Sequence, residues 1–289
     1  MLTGIVLTKD EGVHIERCIA SLKRVAERIV VVDSFSSDGT QELARNAGAE
    51  VVEHAWPGNQ ADQFNWALDN IPISTPWIIR LDADEWLSDE LVDEINSTLP
   101  TLPDDVSAIV LPLGRCFMGK KLKHGIVNGI KIARIFRTGR VRYEQRLMDE
   151  HINLLTGRAL EFKHKFYDDN RMPLGHFIVK HNDYAEREAR TMLMAEYGLT
   201  DDNANHLADA AQRKRAQKSR YARLPLFWRA AAYFLYRYIL RGGFLDGKEG
   251  FVWDFMQGWW YRSLVDAKIL EIRRRCENDP EKIKDYLKK

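Results

Sequence analysis

The sequence is poor in cysteine and has no paired cysteine motif. Its 289 residues include three cysteines, at positions 18, 116 and 276, and none of them falls in a Cys-x-x-Cys spacing. This pattern argues against a disulfide framework or a structural zinc site, and it fits a reducing compartment. The amino terminus also lacks the basic segment, long apolar core and cleavage site of a signal peptide, so we expect a cytoplasmic protein.

Long apolar runs and a net excess of one charge are missing as well. No window of about 18 to 20 uninterrupted apolar residues is present, which argues against an ordinary transmembrane helix. The chain has 43 lysines and arginines against 42 aspartates and glutamates. A general nucleic-acid coat would need a basic excess, so this balance argues against that role. The length predicts one large or two modest domains that are stable without disulfides, structural metals or obligate partners.

The average composition hides one unusual segment. Residues 221–261 contain 14 of the 30 aromatic residues, and residues 210–245 contain nine lysines and arginines but no acid. We therefore expect two parts: a catalytic domain over residues 1–205, and a basic, aromatic, amphipathic helical region over residues 206–289.

The first hundred residues alternate strand-like and helix-like patterns, which is typical of βαβ units with a mostly parallel sheet flanked by helices. Strands are predicted at 2–7, 28–32, 49–53 and 77–81, and helices at 15–22, 40–47, 61–68 and after Ser88. Shorter strands are predicted at 108–113, 131–137 and 142–147, on one edge of the sheet, followed by a helix at 182–197. The predicted fold class is therefore α/β.

Polar clusters follow three of the predicted strands. Thr8 to Glu11, Asp33, and the pair Asp82 and Asp84 stand at strand ends, where open parallel sheets bind ligands. Two carboxylates at positions i and i+2 can form a turn, or they can present hard oxygens to Mg²⁺ or Mn²⁺ bridging a diphosphate. The position at a strand end favours the metal interpretation.

Four motifs in this order, LTKDEG, IVVVDSFSSDGT, ADQFNWAL and WIIRLDADEWLS, resemble the family 2 glycosyltransferases of the GT-A fold. The resemblance is to the bacterial branch that includes lipopolysaccharide-core glucosyltransferases. It implies a nucleotide-sugar donor, with Asp33 on the base and Asp84 as the metal ligand. The other residues that it implies around the donor are Thr8 and Glu11 near ribose and base, Gln63 and Asn65 as polar contacts, and Asp82 with Ala83 near the sugar or ribose.

Inverting sugar transfer needs a carboxylate that deprotonates the acceptor hydroxyl and a divalent cation that stabilises the leaving nucleoside diphosphate. In RLMDEHI, Asp149 and Glu150 occupy the place where the resembling family has its base, and Glu150 is our first choice. The alternative is a solvated acidic turn. His164 resembles a later family histidine that completes the metal site with Asp84 and Asp82, although a structural histidine is the alternative.

The aromatic region predicts a membrane-surface helix. Residues 227–241 place Arg229, Arg237 and Arg241 on one helical stripe among apolar residues. Such a helix can lie in a bilayer interface, and the basic run at 213–223 would be drawn to anionic headgroups by about 1 kcal/mol per basic residue. The alternative is that the aromatics pack on the catalytic domain or on a second subunit, as a homo-oligomer would require. The GFLDG segment resembles one in the same bacterial branch.

These features favour a metal-dependent inverting hexosyltransferase. It would move a sugar, most simply from a UDP-hexose, to a lipid-linked saccharide at the inner face of the cell membrane. The acceptor would be a lipopolysaccharide core or a polyprenyl-diphosphate oligosaccharide. Two alternatives remain: a phosphoryl- or nucleotidyltransferase that uses the DADE carboxylates, and a non-catalytic membrane adaptor. Neither GxGxxG nor GxxxxGK[ST] is present, and the adaptor leaves the clustered carboxylates unexplained.

Overall fold

The computed structural model describes residues 1–143, 152–199, 221 and 224–288. They form two compact units, the first made of residues 1–123 and 127–171 and the second of residues 124–126 and the chain from residue 172. The domain boundary expected between residues 205 and 206 lies outside the described residues and stays a prediction.

The first unit begins with the predicted βαβ alternation. Its four parallel strands lie side by side in the order β3-β2-β1-β4: β1 (Leu2–Thr8), β2 (Arg28–Asp33), β3 (Glu50–Glu53) and β4 (Trp77–Asp82). Three helices connect them: α1 (Ile15–Leu22), α2 (Thr40–Asn46) and α3 (Gln60–Asn70). Helix α4 (Asp89–Thr98) follows, and the side chain of Ser88 caps it as predicted. The α/β expectation is confirmed.

The sheet continues past β4 with strands of both directions. Strand β8 (Lys131–Arg137) runs antiparallel to both β4 and β6 (Val106–Phe117) and so connects the parallel strands to the rest of the sheet. The remaining strands of this ten-stranded sheet, as far as the chain is described, are β5 (Glu85–Leu87), β6 (Val106–Phe117), β7 (Lys120–Leu122), β8 (Lys131–Arg137), β11 (Arg158–Glu161) and β12 (Phe166–Asp168). A separate antiparallel pair contains β9 (Val141–Tyr143) and β10 (Ile152–Leu154). The strand predicted over 142–147 is therefore described only to residue 143.

Side chains on the two faces of the parallel strands enter two different apolar clusters. On β1, Val6 belongs to the cluster that includes residues of α1 and α4, whereas Ile5 belongs to the cluster that includes residues of α3. This alternation follows from the two-residue period of a strand with both faces covered. The strands are therefore held on both sides, and only their ends are free to bind a ligand.

The second unit is helical. Its helices are α5 (Leu174–Glu196), α6 (Trp228–Leu235), α7 (Gly247–Asp254), α8 (Tyr261–Arg275) and α9 (Pro280–Leu287), with π-helical turns at Tyr236–Leu240 and Phe255–Trp260. Helices α5 and α8 pack through a buried cluster that includes Ala189, Leu193 and Ile269. The helix expected at 182–197 starts earlier, at Leu174, directly after Pro173. None of the described helices is both long and apolar enough to span a bilayer.

The arginine stripe of residues 227–241 faces mostly inward. Arg229 is 2% exposed and donates through Nε to Asp266 Oδ1 at 2.8 Å, while Arg237 is 6% exposed and donates through Nε to Asp254 Oδ1 at 2.8 Å. Of the three stripe arginines, only Arg241 is exposed. The helical spacing correctly grouped Arg229 with Arg237, since both side chains are buried. Each binds an acid of a later helix, Asp266 of α8 or Asp254 of α7, so neither charge is available to lipid headgroups.

Candidate functional site

The ends of β1, β2 and β4 lie level with one another in the first unit. In the register of the parallel strands, Thr8 is opposite Asp33, and Leu7 is opposite Asp82. The three predicted strand-end clusters therefore share one edge of the sheet, as the rule for open parallel sheets requires.

Thr8 brings a buried hydroxyl to this edge. Its side chain is 6% exposed, and its Oγ1 has no hydrogen-bond partner among the described residues. The Thr8 carbonyl accepts from the Ser34 N–H at 3.0 Å, which fixes the strand end against β2. A buried polar atom without a partner is costly in a folded protein, and sites that bind polar ligands carry such atoms.

Glu11 is fixed by a buried histidine. Glu11 Oε2 lies 2.5 Å from His14 Nδ1, and His14 Nε2 accepts the Arg171 N–H at 2.7 Å. Since the backbone N–H must donate, Nε2 carries no proton and Nδ1 donates to Glu11. The Glu11 N–H donates to Thr40 Oγ1 at 2.9 Å, so both ends of this residue are held.

Asp33 is fully buried, and its own loop binds its carboxylate. Oδ1 accepts from the Ser36 N–H at 2.8 Å and from Gln41 Nε2 at 2.7 Å, and Oδ2 accepts from Ser36 Oγ at 2.5 Å.

The residue between Ser34 and Ser36, Phe35, has φ of 60° and a ring that is 54% exposed. A left-handed conformation is rare and strained for a bulky residue, which makes this exposed ring notable at a strand end.

The two polar residues predicted on α3 have structural partners. Gln63 is fully buried, donates through Nε2 to Ser34 Oγ at 3.1 Å and lies 2.7 Å from His54 Nδ1 through Oε1. Asn65 donates through Nδ2 to the Tyr143 carbonyl at 2.9 Å and accepts the Tyr143 N–H at 3.0 Å. Gln63 therefore supports the loop after β2, and Asn65 ties α3 to the end of β9.

Two buried arginines hold the carboxylate of Asp82. Arg134 of β8 donates through Nη2 to Asp82 Oδ2 at 3.1 Å and also to Glu85 Oε1, and Arg80 lies 3.3 Å from Asp82 Oδ1. Burial alone would raise the pKa of Asp82, but Arg134 and Arg80 outweigh it and lower that pKa. At Glu85, burial dominates despite Arg134, and with the nearby charge of Asp82 it raises the pKa to about 8. Neighbouring carboxyl groups thus have opposite shifts.

Asp84 lies in different surroundings. Its Oδ2 accepts from Asn170 Nδ2 at 3.1 Å, and its backbone carbonyl accepts from Arg17 Nη2 at 3.2 Å and from the Asp169 N–H at 3.0 Å. No described residue donates a hydrogen bond to Oδ1 of Asp84. Ala83, between the two aspartates, is 2% exposed. The backbone of the motif is thus fixed, while one carboxylate oxygen is left for a ligand.

The family model for glycosyl transferase family 2 matches residues 4–171, which include all of these strand ends. The chain belongs to this family. The match covers most of the first unit and more than half of the whole chain.

Several relatives align with nearly the whole glycosyltransferase. An uncharacterized glycosyltransferase of Rickettsia bellii is 26% identical over 284 residues, covering 95% of this chain and 88% of its own. The lipopolysaccharide core biosynthesis glycosyltransferase LpsC of Rhizobium meliloti is 26% identical over 286 residues, covering 93% and 92%. The crystal structure of S. aureus TarS 1–349 superposes with a TM-score of 0.44 at 15% identity, covering 99% of this chain and 89% of that one.

The glycosyltransferase has a donor set that suits a hard divalent cation. Mg²⁺ is usually held in proteins by one or two carboxylates together with substrate phosphates and water. Asp84 supplies a half-buried carboxylate with an oxygen that no described residue binds. Within the described ranges, no group of three histidine, cysteine or acidic side chains could hold a metal ion alone. The carboxylate of Asp84 therefore fits the ligand class that a hard divalent cation binds, as one ligand of several.

The structure shows a different partner for His164. His164 Nδ1 lies 3.0 Å from Glu94 Oε2, and the His164 N–H donates to the same oxygen at 3.0 Å. This contact ties His164 to α4, and its proposed part in metal binding stays a prediction. Asp149 and Glu150 lie outside the described residues.

Sequence reasoning missed Arg134, Arg80 and Phe35. Arg80 stands inside the apolar run that predicts β4, and an arginine within a buried strand requires an anionic or polar partner. In the structure its side chain is 2% exposed. That signal was present in the sequence of β4. No comparable signal identifies Arg134, since its partners stand about 50 residues earlier in the chain. Phe35 could have been noticed as the single aromatic residue in the polar run SFSSDGT.

Proposed function

We propose that this glycosyltransferase moves a hexose, with inversion at the anomeric carbon, from a UDP-sugar to a lipid-linked saccharide. The observation that carries the proposal is the pair of aspartates after β4. Asp82 is held by two arginines, whereas Asp84 keeps an oxygen that no described residue binds. Asp82 is thus a fixed carboxylate that can accept hydrogen bonds from sugar hydroxyl groups, and Asp84 is a carboxylate that can bind a hard cation. A nucleotide-sugar whose diphosphate binds a metal ion requires both.

In the proposal, the donor lies along the shared strand edge. Thr8 would bind the ribose or base through its unpartnered hydroxyl, with Glu11 beside it. Asp33 stabilises the loop that flanks the base, and the exposed ring of Phe35 on that loop offers a stacking surface. Gln63 and Asn65 support the donor site through the loop and strand that they hold. Asp82, with Ala83, would receive the sugar or ribose hydroxyls.

Asp84 would hold Mg²⁺ or Mn²⁺ through its carboxylate, with Asp82 at the adjacent position. When bound, the cation supplies positive charge to the diphosphate that leaves. Asn170 and Arg17 keep the Asp84 segment in place while that charge develops. His164, which contacts Glu94, would take part only if it exchanged this partner.

The acceptor hydroxyl needs a base, and Glu150 is the residue that we propose, with Asp149 as the second choice. Glu150→Gln should retain UDP binding and lose sugar transfer, since an amide keeps the shape but cannot accept the proton. Turnover that survives this change would assign the role to Asp149 or to another group.

The lipid-linked nature of the acceptor is supported by the second unit. Between residues 228 and 245, a run of apolar side chains is exposed although nearby arginines are buried: Trp228, Leu235, Tyr236, Ile239, Leu240, Phe244 and Leu245. We refer to it as the exposed apolar segment. The basic run at 213–223 precedes it in sequence and complements anionic headgroups. A peripheral position on the inner face of the cell membrane would give such a surface its partner.

A thermal-shift measurement of the full chain tests donor binding. UDP with Mn²⁺ should raise the melting temperature more than either alone, because a ligand that binds only the native state stabilises it. Asp84→Asn should remove the Mn²⁺-dependent part, and Asp104→Asn, a change at an exposed ion pair with Arg140, should not. The absence of any response to UDP, GDP or dTDP with Mn²⁺ would contradict the proposal.

A further inference from the structure

We propose that Trp86, Tyr167 and Lys121 form an acceptor subsite for a sugar that carries an anionic group. This inference rests on the proposed function, since it names a substrate feature of the same enzyme. It concerns a part of the first unit to which neither the donor nor the metal has been assigned.

The two aromatic rings form a fixed pair on neighbouring strands. Trp86 of β5 is directly opposite Tyr167 of β12 in the antiparallel register, and the rings stack with centroids 4.7 Å apart and planes at 19°. Both side chains are half-buried, so each keeps part of its surface exposed. Stacking across a strand pair restricts both rings to one orientation. The pair therefore offers a preformed apolar surface.

Gly114 fixes the position of the tyrosine ring. A Cβ atom at this position of β6 would lie 2.5 Å from Tyr167 Cδ1, closer than carbon atoms can pack. Tyr167 therefore lies directly over the glycine backbone, in space that any other residue would fill. This close approach fixes how near the Tyr167 ring lies to the sheet, and the stacked Trp86 ring takes its position from Tyr167.

Lys121 adds a positive charge to the pair. Its Nζ lies 4.3 Å from the centroid of the Tyr167 ring and 4.9 Å from that of Trp86. No carboxylate of the described residues forms a salt bridge with Lys121, although Glu90 is close enough to feel its charge. An exposed ammonium that is oriented by aromatic rings can still receive an anion.

The pair adjoins the candidate metal ligand. Trp86 is two residues after Asp84, and Tyr167 is two residues before Asp169, whose N–H donates to the Asp84 carbonyl at 3.0 Å. A saccharide bound on the rings would thus lie at the edge of the sheet from which Asp84 reaches the donor. This is where an acceptor has to be if its hydroxyl is to attack the transferred sugar.

The chemistry of the three side chains selects the ligand class. The C–H face of a pyranose packs on aromatic rings, and an ammonium forms charge-assisted hydrogen bonds with carboxylate or phosphate oxygens. A neutral sugar would use the rings alone and leave Lys121 without a partner. We therefore expect a sugar acid or a sugar phosphate within the acceptor.

Ligand-observed NMR with the full chain, without donor or metal, tests this subsite. Glucose 6-phosphate and glucuronate are the anionic probes, and methyl glucoside is the neutral one. At least one anionic probe should show saturation transfer and should bind more tightly than methyl glucoside. Lys121→Gln should weaken anionic binding about tenfold and leave methyl glucoside unchanged, because it removes one charge-assisted contact. The response of the two anionic probes distinguishes a carboxylate from a phosphate ligand.

Lys120→Gln is the matched control, because it removes the same charge from the adjacent residue of β7, whose side chain leaves the opposite face. Equal weakening by both lysine changes, or equal affinity for charged and neutral probes, would overturn the proposal. Trp86→Leu should abolish binding of all three probes, and unchanged binding in a folded variant would also overturn it. Since UDP is absent, failure here is distinct from a failure of UDP to bind with Mn²⁺.

Discussion

Arg134 Nη2 lies 3.1 Å from Asp82 Oδ2, and the same nitrogen also donates to Glu85. One buried cation of an antiparallel strand thus joins the first and the last acid of the DADE turn. The arrangement keeps Asp82 ionised and aligned although burial opposes its charge. Strand β8 therefore contributes to the candidate site without carrying any residue of the motif.

Removing Arg134 should destabilise the protein and weaken donor binding. Arg134→Met leaves the buried Glu85 without its cation and the half-buried Asp82 with Arg80 alone, and removing one partner of a buried ion pair typically costs about 3 to 5 kcal/mol. Urea unfolding should show this loss, and Arg134→Lys, which keeps the charge but not the fork, should show a smaller one together with a raised KM for the donor. Arg140→Met, at an exposed pair with Asp104, should cost less than about 1 kcal/mol. Equal losses at both sites would contradict this role.

Phe35→Gly should separate backbone strain from ligand binding. Glycine accepts a φ of 60° freely, so the unliganded protein should be unchanged or more stable by up to about 1 kcal/mol. Loss of a stacking ring should weaken UDP binding about tenfold, as for bases that stack on aromatic side chains. Calorimetric titration with UDP and Mn²⁺ measures this.

Met118→Gly is the control for that measurement. Met118 is also exposed and left-handed, with φ of 48°, but it lies at the turn between β6 and β7. Both changes relieve the same kind of strain, and only the change at Phe35 should affect UDP. Unaltered UDP affinity in Phe35→Gly would remove the ring from the donor site.

Alkaline pH should weaken the second unit through Tyr261. Burial raises the pKa of the Tyr261 hydroxyl, and its hydrogen bond to Glu188 Oε2 at 2.6 Å adds to that effect. The unfolded chain releases this proton near its ordinary pKa of about 10, whereas the folded chain retains it. The stabilising effect is therefore complete below pH 10 and is lost as the pH rises further.

Tyr261→Phe should reduce the slope of unfolding free energy against pH, above about pH 10, by up to about 1.4 kcal/mol per pH unit. Urea unfolding at a series of pH values measures the slope. Tyr236→Phe, at a side chain that is 43% exposed, should leave the slope unchanged. A slope that is the same in wild type and Tyr261→Phe would show that the proton is released in both states.

The exposed apolar segment should bind membranes. Leu240→Glu and Trp228→Glu, at side chains 76% and 77% exposed, should reduce cosedimentation with vesicles of phosphatidylcholine and phosphatidylglycerol at least fivefold, since each places a charge where a bilayer would lie. Val13→Glu, an exposed apolar position of the first unit, should have no effect. If the variants retain binding while adding salt releases the protein, the basic run alone accounts for attachment.

The sequence was most informative where local pattern and chain order determine structure. Strands β1 to β4 follow from their apolar runs, and their parallel order brings Thr8, Asp33 and Asp82 to one edge. The start of α4 at Ser88 could be predicted from helix-capping preference alone. Each of these features depends on neighbours within a few residues or on a rule of sheet topology.

Long-range partners could not be read in the same way. Arg134 reaches Asp82 because β8 inserts antiparallel between β4 and β6, and no local pattern specifies that position. Likewise, helical spacing grouped Arg229 with Arg237, but the choice between interior and surface depended on Asp266 and Asp254, which belong to later helices. The segment with Glu150 stays a prediction.

Asn65 gives both polar groups of its amide to the backbone of Tyr143, the last described residue before the segment that contains Asp149 and Glu150. The helix proposed to support the donor and the chain that leads to the proposed base therefore share one mechanical anchor. Under the proposed function, Asn65 would therefore contribute to donor binding and to base positioning through this one contact.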